Sequence, residues 1–151
     1  MPVHLRNFLR HRSVPSRQLR SWASVALSSL NLDRAELGLL LVGDRRIRTL
    51  NREYRGRDGR TNVLSFPMDA LSPGGRRPHL LGDVVISLDS AQREARQRGL
   101  SLRCYLQVLL VHGILHLTGL DHERSAREAR RMARAERRLL RIMGEARNGL
   151  I

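Results

Sequence analysis

Between Ser101 and Gly119 the chain carries Leu102, Leu106, Val108, Leu109, Leu110, Val111, Ile114, Leu115 and Leu117. Wound as a helix, this stretch is apolar on nearly every side, and such a helix belongs inside a core. The segment therefore dictates the fold, because the remaining elements must wrap it. Gln107, His112 and His116 make it too polar, and its length makes it too short, to span a bilayer. Ser101 is placed to cap its start, and Gly119 to end it as a left-handed C′ residue.

Two imidazoles on a core helix cost free energy unless their nitrogens find partners. His112 and His116 are four residues apart and so share a face. A lone histidine in such a place is ordinarily a hydrogen-bonded core residue. Here a second follows at helical spacing, and Gly119 lets the chain reverse so that His122 swings back. Three converging imidazoles with no fourth protein ligand make the catalytic type of zinc site, which leaves one position open. Zinc suits nitrogen donors in tetrahedral array; nickel and copper are the alternatives. The string H-x-x-x-H-x-x-G-x-x-H is the ligand frame of metzincin proteases. Those proteases carry a glutamate general base after the first histidine. This chain has Gly113, which neither takes nor gives a proton. Metal activation of water survives that change. Proton delivery to a leaving amide nitrogen has no agent, whereas a phosphodiester, with its better leaving oxygen, needs less help.

Charge points the same way. Of 151 residues, 28 are basic and 14 acidic, a formal net charge of +14. All of the basic residues are arginine. A GC-rich coding bias explains arginine over lysine; a polyanion partner explains the excess, because arginine grips phosphate bidentately. Aromatics are 3%, too few for a broad base-stacking platform. The hydrophobic fraction of 41% suits one ordinary globular domain over residues 1–151. A single cysteine, Cys104, and an N-terminus without an apolar signal core lead us to expect a soluble cytoplasmic protein.

Around the central helix the pattern mixes strands and helices. Strands are expected at Val3–Leu9, Glu36–Val42, Thr61–Phe66 and Leu80–Leu88. Helices are expected from Ser16, from Asp44 as N-cap to Tyr54, from Asp89 or Ser90 as N-cap to Gly99, and from Glu123 to Met143. With no regular βαβ alternation, the class is α+β. The last helix is strongly basic, with Arg124, Arg127, Arg130, Arg131, Arg134, Arg137, Arg138 and Arg141. By default this is a solvated face, although several fall on one stripe that a phosphate backbone could follow.

At these residues the sequence resembles the YbeY family of bacterial rRNA maturation endoribonucleases. The segment His112 to His122 matches that family's H-G-x-L-H-L-x-G-x-D-H. Leu50 to Asp58 with Thr61 to Pro67, and Leu81 to Ile86, match in order and spacing, so the likeness runs from about Glu36 to Met143. The resemblance implies a metal-dependent endoribonuclease acting on single-stranded RNA, with roles in 16S rRNA 3′-end maturation and ribosome quality control. It implies one zinc ion per chain on His112, His116 and His122, with Arg55 as the functional arginine. It implies a small mixed sheet packed on a central metal-bearing, zincin-like helix. Partners on this reading are rRNA, the small ribosomal subunit and ribosome-assembly proteins, with no membrane and no DNA.

The residues themselves allow roles to be argued. A guanidinium at Arg55 would stabilise the extra negative charge of a phosphorane more than the ground state. His116 is counted with Arg55 in the catalytic set. Ser65, before Phe66 and Pro67, is a candidate to line the substrate cleft with Arg55. Asp121 either orients a ligand histidine or caps the turn after Gly119. Asp83 reads as structural, and His4, His11 and His79 as surface residues. Two other functions compete: a ribosome-binding assembly factor whose zinc is structural, and a zinc protease, which Gly113 disfavours.

Overall fold

The computed structural model describes residues 3–56, 59, 61–67, 80–120 and 125–144. Within them four strands, β1 (Val3–Asn7), β2 (Glu36–Val42), β3 (Val63–Pro67) and β4 (Leu80–Ser87), form one sheet in the order β1-β2-β4-β3. β1, β2 and β4 run parallel, and β3 pairs antiparallel with β4 at the edge. Helices are α1 (Ser16–Ser29), α2 (Asp44–Arg55), α3 (Leu88–Gln97), α4 (Leu102–Leu117) and α5 (Ala126–Met143). The mixed sheet and α+β class match the sequence reading. One βαβ unit, β1-α1-β2, stands where no regular alternation was expected.

The sheet has an apolar layer on each face. Leu37, Leu39 and Leu41 of β2, with Val84 and Ile86 of β4, pack under α1, α3 and α4, and α5 closes the same core over α1 and α4. Val42, Leu64, Phe66 and Val85 meet Ile47 and Leu50 of α2 on the other face. β2 is apolar along its length because a parallel strand covered on both faces has no solvent side. In α4, Leu106, Leu110 and Ile114 are fully buried, as an all-round apolar helix requires. Gln107 shares that burial, and among the described residues neither atom of its amide has a hydrogen-bond partner. Among the described residues no single helix is long and apolar enough to cross a membrane.

Two helix starts differ from the sequence expectation. Gly43, not Asp44, is the N-cap of α2. Asp44 opens the helix, and its carboxylate accepts bonds from Ser87, Ser90 and Arg93 at 2.7 Å each. Burial alone would raise this carboxyl, but those bonds outweigh it and hold it below the usual range. The Asp44 N–H is capped across the fold by Asp89, whose other oxygen takes Arg12 at 2.8 Å. With Asp89 so engaged, Ser87 caps α3, accepting from the Ser90 N–H. Both differences arise because these carboxylates serve distant partners that local spacing does not reveal. Ser101 caps α4 as expected, and Gly144 ends α5 at φ 78°. The start of α5 is capped by Ser125, and Glu123 and Arg124, where the helix was expected to begin, lie outside the described residues.

Candidate metal centre

α4 ends as the sequence pattern requires. Leu120 N–H donates to the Leu115 carbonyl and Gly119 N–H to that of His116, the paired bonds of a Schellman turn. Gly119 takes φ 99°, a conformation side chains resist. The helix therefore ends within one turn of His116.

His112 and His116 lie on one face of α4, partly exposed, with ring centroids 4.8 Å apart and planes at 62°. The ring of His112 is held from α5: its Nδ1 lies 3.0 Å from Glu136 Oε1. An ionised carboxylate only accepts, so Nδ1 is the donor here, and in the neutral ring Nε2 is then the nitrogen whose lone pair can meet a cation. Such a carboxylate–imidazole pair is the usual support of a metal-ligating histidine. The sequence gives no local hint of it. Glu136 is 24 residues from His112, on a helix where an acid among arginines reads as a surface ion pair. The third histidine, His122, and Asp121 lie outside the described residues, as does His79.

Gly113 sits where α4 lies tight against β4 and β3. A Cβ there would be 2.6 and 3.1 Å from the two methyl carbons of Val84 and 3.4 Å from Ser65 Oγ. Ser65 Oγ donates to the Gly113 carbonyl at 2.8 Å, pinning the histidine helix to edge strand β3. The hydroxyl expected to line a cleft thus also makes a structural tie. The protease's glutamate would have no space at this position, so the absence of a general base here is built into the packing.

Arg55 ends α2 and is exposed, followed by Gly56 at φ 66°. It stands across the sheet from the histidines, since α2 and α4 cover opposite faces. Both helices finish at the same end of β3, however. The Tyr54 ring meets Phe66 edge-on at 5.5 Å, and Leu117 packs at Gly82, which pairs with Pro67. Among the described residues no contact joins Arg55 to His112 or His116. They flank β3, so a strand of substrate laid along that edge would pass between them.

On the same face of β4 as Val85 lies Asp83, partly buried, its carboxylate occupying the space that a Cβ on Gly38 would take. Burial pushes this carboxyl up from its ordinary range. Among the described residues no hydrogen bond or ion pair offsets that cost. His4 is exposed beside Glu36 at 3.7 Å, in keeping with a surface role.

Comparison with known proteins decides the family. The model of the family described as endoribonuclease YbeY matches residues 5–144. The chain belongs to the YbeY family. The endoribonuclease YbeY of Anaeromyxobacter sp. strain Fw109-5 is 55% identical over 129 residues, 85% of this chain and 65% of that relative's length. That of Geobacter metallireducens is 45% identical over 152 residues, the whole of both chains. That of Aquifex aeolicus is 42% identical over 138 residues, 91% of this chain and 90% of the relative. A solution structure from Thermotoga maritima superposes with a TM-score of 0.64 at 22% identity, covering 98% of this chain and 93% of that one. It shares the fold.

Proposed function

We propose that this chain is a zinc-dependent endoribonuclease of the cytoplasm that cleaves single-stranded rRNA, at the 16S 3′ end and in ribosome quality control. Its partners on this reading are the small ribosomal subunit and ribosome-assembly proteins. The name its relatives carry supports the reaction. The observation that carries the metal is the pair of imidazoles on one face of α4, one of them anchored by Glu136. Two nitrogen donors at the end of a rigid core helix, followed by the turn that ends that helix, fit a zinc site, and we assign His112, His116 and His122 to it. When bound, zinc supplies the Lewis acidity that makes water a nucleophile near neutral pH.

The remaining steps belong to the protein. Glu136 fixes the tautomer and orientation of His112. Ser65 holds α4 against β3, so that the donors keep their position relative to the strand edge. Arg55, exposed at the same end of the sheet, would hold the phosphate and stabilise its added charge in the transition state. The packing around Gly113 supports RNA over peptide as substrate, because it leaves no room for the protease's proton donor.

The test is incubation of purified protein with a single-stranded rRNA fragment. Wild type is expected to cleave and His116→Ala to be inert. Equal cleavage by the two would assign the activity to a contaminating nuclease and remove the reading.

A further inference from the structure

α5 carries seven of the arginines between Arg127 and Arg141, and all seven are exposed. At about 100° per residue they fall within an arc of about 120°, bounded by Arg137 on one edge and Arg131 on the other. The acids of this helix, Glu128 and Glu136, lie outside the arc, and Glu136 is engaged with His112. The stripe is ~21 Å long at 1.5 Å per residue. Four like-charged pairs at i,i+4 result, such as Arg130 with Arg134, and each opposes the helix. A helix face that only needs water gains nothing from this arrangement. A polyanion laid along it would relieve the repulsion.

We propose that this arginine face of α5 binds the phosphate backbone of the RNA strand outside the cleavage site. The inference rests on the endoribonuclease reading for the identity of the polyanion. The face is set apart from the site: Glu136, which anchors His112, lies about 160° round the helix from the centre of the arc, so the arginines can hold only a part of the strand away from the histidines. On its far side Arg131, Arg134 and Arg138 line a groove of about 280 Å³ against Ser29 and Leu30 at the end of α1. A bilayer is a poor occupant: the apolar stripe of α5, with Met132 and Leu139, is already buried in the core. A protein partner is a poorer match, since the arc itself holds only arginines among its large side chains and Ile142, exposed beside its Arg131 edge, is a single aliphatic group where such interfaces centre on a cluster.

Binding of a labelled single-stranded RNA, followed by fluorescence anisotropy across a potassium chloride series, tests the proposal. Arg130, Arg134, Arg137 and Arg141 are replaced together by Gln. A control of equal charge change replaces Arg10, Arg17, Arg34 and Arg96, exposed on other elements. The slope of log affinity against log salt is expected to fall by about 0.7 for each arginine that contacts a phosphate, up to about 3 in the helix variant. The control is expected to change it little. An unchanged slope in the helix variant, or equal losses in both, overturns the proposal. Melting temperature verifies folding and should not fall, since like-charge pairs are removed. Wild-type cleavage of the same RNA, read in parallel, reports separately on the endoribonuclease reading.

Discussion

Replacing Gly113 with Ala is a severe test of how the histidine helix is seated. In an exposed helix this change would add about 1 kcal/mol of stability through helix propensity. Here the new methyl would lie 2.6 Å from one Val84 methyl carbon and 3.1 Å from the other. Val84 is fully buried in a strand paired on both sides, so it cannot retreat without moving β4. Overpacking of this kind costs about 1–3 kcal/mol. Displacing α4 would also stretch the Ser65 bond to the Gly113 carbonyl, a loss of about 1 kcal/mol. The net expectation is a loss of about 1–3 kcal/mol. For a domain of this size that is a drop of roughly 2–12 °C in melting temperature. Calorimetry of wild type, Gly113→Ala, Val84→Ala and the double variant gives the coupling. The double variant should recover about 1 kcal/mol or more of the loss. A Gly113→Ala protein that melts at or above wild type, with no coupling to Val84, would refute this account of the seating.

Three further outcomes follow from particular side chains. Glu136→Ala should weaken zinc binding about 10–100-fold, measured by competition with a chromogenic chelator, because His112 loses the partner that fixes its ring; unaltered affinity would remove Glu136 from the site. Gln107→Leu should raise stability to denaturant by about 1–3 kcal/mol, since an unpaired buried amide is replaced by an apolar group of similar size; a loss would mean that the amide is satisfied. Asp83→Asn should raise the melting temperature at pH 7. The folded state holds this carboxyl above its ordinary value, so ionisation works against folding, and the gain should shrink as pH falls towards 3.8. A pH-independent difference would point to a cause other than charge.

Local chemistry made much of this fold legible. The apolar stretch from Leu102 to Leu117 could only be a core helix, and Ser101 and Gly119 marked its ends because caps act within a turn of the residues they satisfy. The apolar run in β2 pointed to burial on at least one face, and the structure covers it on both. What sequence spacing could not show were the long-range partners. Asp44 and Asp89 resemble N-caps of their own helices, yet one collects two serine hydroxyls and Arg93, and the other caps α2 from a distant element. The site followed the same rule. His112 and His116 were readable from helical periodicity. Glu136 was not, because only tertiary packing of α5 on α4 brings it to the ring. In the sequence Gly113 marks a missing base; in the structure it is also the position where any side chain would run into Val84.

The most direct test of the central claim is zinc stoichiometry measured together with RNA cleavage, on the purified protein before chelation, after it, and after zinc is returned. A three-histidine zinc site requires close to one zinc per chain, cleavage abolished by the chelator and restored by zinc, and neither metal nor cleavage in His112→Ala and His116→Ala. Cleavage that persists at full rate in metal-free protein would contradict it.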